Sequence, residues 1–144
     1  MKLIMRRASV RWKGGAKGCT QLMTTESGVL NQARYALSVA GRKTSATNPA
    51  ELIAAAHAGS FSMALSQELG LTTSALGSIA TTATVTLQNS SGVWSIINLH
   101  LYVLAKLPKV TQGQFIDATV RAKTTCLVSK LLRANLSMNA KLEK

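Results

Sequence analysis

The sequence predicts an α+β domain built on antiparallel sheets, and three observations carry that reading. A helix signed at both ends occupies 48–70. Short segments rich in Val, Ile, Thr and aromatic residues lie on both sides of it, separated by glycine and asparagine turns. A second, shorter helical region precedes a final alternating segment. The predicted order is three strands, a helix, two strands, a helix and a strand, in one domain spanning 1–144.

Residues 2–12 alternate loosely and hold Ile4, Val10 and Trp12, which predicts a first strand. Lys13 to Gly18 has three glycines in six residues and reads as a turn. Cys19 to Thr25 reads as a second strand, Ser27-Gly28 as a turn, and Tyr35 to Val39 as a third strand. The loop Gly41 to Thr47 then leads to the helix. Asn48 suits the N-cap, and Pro49 at the first helical position gives up only an N–H that has no helical acceptor. Glu51 falls at the third helical position, where its carboxylate can reach back to the cap and meet the positive end of the dipole. Gly70 supplies a left-handed stop. Between these ends Leu52, Ile53, Phe61, Met63, Leu65 and Leu69 are spread around the helix, with Ala54, Ala55, Ala56, Ala58 and Gly59 between them. A helix apolar on most sides is surrounded by protein, so a second subunit is expected to share in covering it.

Downstream, Thr81 to Leu87 and Val93 to Leu104 read as strands joined by the turn N-S-S-G. Phe115 to Ala122 reads as helix, broken near Thr124-Thr125, and a short helix follows from Cys126 to about Arg133. Asn135 to Leu142 alternates Leu136, Met138, Ala140 and Leu142, a final strand with one buried face.

Composition narrows the function. The chain has 144 residues, 47% of them hydrophobic, enough for a real core, and no apolar run long enough to span a bilayer. The first residues lack the pattern of a secretion signal, which makes the cytoplasm the expected compartment and leaves no membrane partner expected. Cys19 and Cys126 are too few for a disulfide scaffold. With only His57 and His100 beside them they give no zinc spacing, so neither metal nor cofactor is expected. The formal net charge is +12, and no acid occurs between Glu68 and Asp117. Scattered cations with 4% aromatics predict a solvated basic surface that binds polyanions weakly, and no specific nucleic-acid partner.

Three motifs go further: T-E-S-G-V-L-N-Q at Thr25 to Gln32, T-N-P-x-E-L-I-x-A-A-H-A-x-x-F-S-M-A-L-S at Thr47 to Ser66, and C-x-V-S at Cys126 to Ser129. They resemble the OsmC/Ohr family, the osmotically inducible and organic hydroperoxide resistance proteins, and the first motif points to the OsmC branch. The likeness runs over nearly the whole chain. It implies an intertwined homodimer with antiparallel sheets wrapped around long central helices, and a thiol-dependent reduction of organic hydroperoxides in oxidative and osmotic stress defence. In that chemistry a cysteine thiolate attacks the O–O bond, releases the alcohol and becomes a sulfenic acid. A second cysteine condenses with it to a disulfide with loss of water, and a dithiol or lipoyl-type reductant restores both thiols. An arginine and a glutamate hold the first cysteine ionised.

Carried over residue by residue, the likeness places the reactive cysteine at Ser60, the glutamate at Ala50 and the arginine at Gly18; the resolving cysteine alone is present, as Cys126. The family's proline after it is Leu127. Glu51, about 100° around the helix from Ala50, reads as a capping residue. Lys17 lacks the planar fork of an arginine. His57 and Ser60, three apart, are within reach of each other but form only a weak hydrolase signal, and His57 reads as a packed helix residue. The joint absence of cysteine, arginine and glutamate favours a diverged member with an impaired or inactive site over a single deliberate Cys-to-Ser replacement. The alternative is a binding module that uses the interface pocket for an apolar ligand or the basic surface for a polyanion.

Overall fold

A computed structural model describes residues 1–15, 18–36, 45–72 and 75–144. The chain divides into two compact units, Met1–Leu52 and Ile53–Lys144.

The first unit is a three-stranded antiparallel sheet, β1 (Ala8–Gly15), β2 (Gly18–Thr25) and β3 (Ala33–Arg34), in the order β1-β2-β3. The first strand starts later than the sequence suggests and runs farther, because Lys13, Gly14 and Gly15 keep pairing with β2. The expected turn shrinks accordingly, and its centre at 16–17 lies outside the described residues. Gly28 turns the chain at φ 73°, its N–H bonded to Thr25 O at 2.9 Å. Of the expected strand at 35–39, Tyr35 makes an isolated bridge to Thr47, and 37–39 lie outside the described residues.

Helix α1 (Pro49–Glu68) begins in this unit and continues into the second. Asn48 Oδ1 accepts the Glu51 N–H at 3.0 Å, and the Glu51 carboxylate accepts the Thr47 hydroxyl at 3.3 Å. Glu51 is thus a capping residue, though its carboxylate is met by Thr47 in place of the cap N–H. At the other end Gly70 adopts φ 62°, with Gly70 N–H on Gln67 O at 3.0 Å and Leu71 N–H on Ser66 O at 2.9 Å. That pair of bonds is a Schellman stop.

The second unit holds β4 (Ser78–Ser90), β5 (Val93–Lys106), α2 (Gln112–Thr125), α3 (Leu127–Leu131) and β6 (Asn135–Glu143), with sheet order β4-β5-β6. Ser91 and Gly92, at φ 53° and 85°, form the two-residue hairpin turn, and Asn89 Oδ1 accepts the Gly92 N–H at 3.0 Å. The α+β class stands, but this sheet is mixed, because β6 runs parallel to β5. The helices between them carry the chain back to the end where β5 began, so β6 must repeat its direction. Alternate residues Leu99, Leu101, Val103 and Ala105 of β5 face the core. Phe61, Ala64 and Leu65 of α1 and Phe115, Ala118 and Ala122 of α2 form one cluster with Leu101, Val103 and Ala105. Beside this core, Glu68 accepts Arg121 Nε at 2.8 Å and the Thr125 hydroxyl at 3.2 Å. Within the single chain α1 is not covered all round: Ala55, Ala56, Gly59 and Met63 remain exposed.

Candidate functional site

The helix phase of α1 sets the site. His57, Phe61, Ala64 and Leu65 are buried, and Ser60 lies at the margin of that face, half-buried. The sharp corner between α2 and α3 supplies the other side. Cys126 ends α2, its N–H on Ala122 O at 2.8 Å, and caps α3 by accepting the Ser129 N–H on Sγ at 3.5 Å. At this corner Cys126 is completely buried.

The two positions meet. Cys126 Sγ lies 3.2 Å from Ser60 Oγ, and the same hydroxyl oxygen accepts the Val128 N–H at 3.4 Å. Burial pushes the Cys126 thiol up, but hydrogen bonds from the Ser129 and Ser60 side chains and from the Ser129 and Val128 backbone outweigh it. The net direction is down, with no charged side chain among the causes. The thiol is free. Cys19 pairs through its backbone with Gly14, and its side chain lies outside the described residues.

His57 does not turn to Ser60 as the three-residue spacing allows. Its Nε2 is 2.8 Å from Ser129 Oγ, and its Nδ1 is buried with no hydrogen-bond partner among the described residues. Burial lowers its pKa. With Nε2 on Ser129 and Nδ1 unpartnered, the Ser60–His57 pairing that the spacing allows is not formed. Ser129 is the functional neighbour that sequence reasoning passed over, although it closes the C-x-V-S motif. Ala50 sits in the first turn of α1 and Gly18 opens β2, both in the first unit.

A separate groove of about 430 Å³ runs beside the C-terminal half of α1, lined by Ser62, Met63, Ser66, Leu71, Leu76 and Leu107 among others. Neither Ser60 nor Cys126 is among its lining residues. The described residues hold no cluster of three or more metal-ligating side chains. Among them no helix is long and apolar enough to cross a membrane.

This helix–sheet topology is the fold of solved OsmC and Ohr proteins. The structure aligns with an OsmC-like protein of unknown function from Vibrio cholerae at a TM-score of 0.79, with 16% identity, over 96% of this chain and 100% of that one. The organic hydroperoxide resistance protein of Bacillus subtilis aligns at 0.63 with 22% identity, over 99% and 100%. In sequence, residues 41–141 match the family model for OsmC-like protein. The chain is 36% identical to the peroxiredoxin OsmC of Escherichia coli (strain K12) over 140 residues, 97% of this chain and 98% of the relative; the Shigella flexneri protein matches equally. The chain belongs to the OsmC family.

Proposed function

We propose that this protein is a hydroperoxide-directed OsmC homologue whose two-cysteine cycle is interrupted at its first step. The observation that carries the reading is the 3.2 Å contact between Cys126 Sγ and Ser60 Oγ. A resolving thiol is within reach of the position that should receive peroxide oxygen, but that position holds a hydroxyl. A serine hydroxyl ionises far above neutral pH, whereas a cysteine starts near about 8.5 and is lowered further by a cation. Oxygen also forms neither the sulfenic acid nor the disulfide on which the cycle depends. Gly18 and Ala50 supply no charge where the family likeness puts arginine and glutamate. The reactants suited to the ancestral site are an organic hydroperoxide and a dithiol or lipoyl-type reductant.

With cumene hydroperoxide and a dithiol, turnover should equal a no-protein control. Ser60→Cys alone should restore slow reaction. Adding Ala50→Glu and Gly18→Arg should restore much more, because groups that act as one unit are strongly non-additive. Peroxide reduction by the unmodified chain, lost on Cys126→Ser, would make Cys126 the primary nucleophile and sink the proposal.

The same reading includes a homodimer. Its support is the open face of α1, where Ala55, Ala56, Gly59 and Met63 lie exposed in one chain, and where small residues allow a second helix to approach closely. Interfaces of obligate dimers bury more than about 2,000 Å²; a folded monomer in sedimentation at low micromolar concentration would contradict it. A second reading, a binding module for an apolar ligand, is favoured by the groove beside Met63 and Leu76. It predicts saturable uptake of a fluorescent fatty acid that Ser62→Trp abolishes.

A further inference from the structure

The peroxide chemistry makes no use of the first residues of the chain. Residues 1–7 precede β1 and are exposed throughout in the single chain. Leu3, Ile4 and Met5 stand side by side with 80%, 64% and 72% of their area in water. Lys2 precedes them, and Arg6 and Arg7 follow. The segment is anchored where it meets the sheet: Arg7 O accepts the Glu26 N–H at 2.9 Å, and the Arg7 guanidinium lies 3.9 Å from the Glu26 carboxylate. Residues 1–52 carry nine lysines and arginines against two carboxylates, Glu26 and Glu51. In β1 the alternation puts Val10 and Trp12 on one face and Arg11 and Lys13 on the other, whereas residues 2–7 present apolar and cationic groups as one short block.

We propose that this block is a peripheral docking site for an anionic lipid bilayer, with Leu3, Ile4 and Met5 entering the headgroup–acyl boundary and Lys2, Arg6 and Arg7 meeting lipid phosphates and carboxylates. Both halves of the block are needed to choose the occupant. Nucleic acid would engage the cations but give three aliphatic side chains no partner, and residues 1–7 contain no aromatic ring on which a base could stack. An apolar protein groove would take the aliphatic side chains but has no use for the surrounding positive charge. An anionic bilayer satisfies both, since burial of apolar side chains and attraction to anionic lipid add in interfacial binding. The sequence has no secretion-signal pattern and no apolar run long enough to span a bilayer, which is why no membrane partner is expected from it. Surface docking needs no such length.

The test is co-sedimentation of the full chain with vesicles of phosphatidylcholine, with and without about one-third phosphatidylserine, at about 0.1 M salt. Binding is expected only with phosphatidylserine. The double substitution Arg6→Gln, Arg7→Gln should weaken it about thirty-fold, from about 1 kcal/mol per cation near the surface. Leu3→Ser, Ile4→Ser, Met5→Ser together should also abolish it, while far-UV circular dichroism and sedimentation in lipid-free buffer stay unchanged because these side chains are already in water. Absence of binding to phosphatidylserine vesicles overturns the proposal, as does equal binding to pure phosphatidylcholine. Undiminished binding by the Leu3, Ile4, Met5 variant leaves only non-specific charge attraction and also overturns it. A loss of oligomeric state in that variant would make the occupant a second copy of the chain.

Discussion

Ser60→Cys tests the geometry of the site independently of turnover. The two side-chain atoms concerned are 3.2 Å apart, and a disulfide of about 2.05 Å requires them to close by about 1 Å. A side chain at the margin of the buried helix face can supply that by rotation, because Ser60 is half-buried and not locked in the core. The bond would join residues 66 apart in sequence. A loop of that length removes denatured-state entropy equivalent to on the order of 4 kcal/mol, less any strain in the native state. At a urea slope of about 2 kcal/mol/M, the midpoint of the oxidised variant should lie up to about 2 M above that of its reduced form. Non-reducing mass spectrometry after one equivalent of hydroperoxide should show loss of two hydrogens per chain and a peptide linking positions 60 and 126. Coincident unfolding curves for the two redox forms, or oxidation that stops at sulfinic acid with no such peptide, would refute the claim that these positions are within bonding reach.

Three further outcomes follow from particular contacts. Gly77 adopts φ 131°, and a Cβ there would overlap the Lys106 carbonyl, so Gly77→Ala should cost about 1–3 kcal/mol in chemical denaturation; an unchanged midpoint would show that the β4 entry can relax. Thr111 and Gln114 form a reciprocal cap, with Thr111 N–H on Gln114 Oε1 at 2.9 Å and Gln114 N–H on Thr111 Oγ1 at 3.3 Å. Thr111→Ala should therefore lose about 0.5–2 kcal/mol, and no change in midpoint would deny the cap any share in stability. Burial depresses the His57 pKa in the folded chain, so the unfolded chain takes up a proton first, near about pH 6.5. The associated stability is complete above that pH and is lost as pH falls through the folded value. Comparing urea midpoints at pH 7.5 and 5, His57→Gln should show a smaller acid loss than the parent; parallel losses would mean that His57 is protonated as readily folded as unfolded.

What the sequence determined by itself is what neighbours a few residues apart decide. Asn48, Pro49 and Gly70 mark the ends of α1 because cap and stop bonds close within six residues. Ser91-Gly92 turns the hairpin for the same reason, through left-handed dihedrals that glycine adopts freely. The Thr111–Gln114 cap was equally legible, and reading it would have started α2 at Gln112 in place of Phe115. Likeness to a family named Ser60 and Cys126 together, but nothing in their local sequence says that they touch. Sequence likewise put Ser60 within reach of His57, since helix spacing makes residues three apart neighbours. The fold chose Ser129, on an element 72 residues away, because the α2–α3 corner brings its hydroxyl to the buried ring. The direction of β6 was also beyond local reading. Alternation of Leu136, Met138 and Ala140 gives a strand its faces but not its sense, which depends on how many helices cross before the chain returns to β5. Full burial of Cys126 belongs to the same class: a cysteine becomes inaccessible only when the helices on either side of it pack onto α1 and the sheet, and that packing is settled by contacts far apart in the chain.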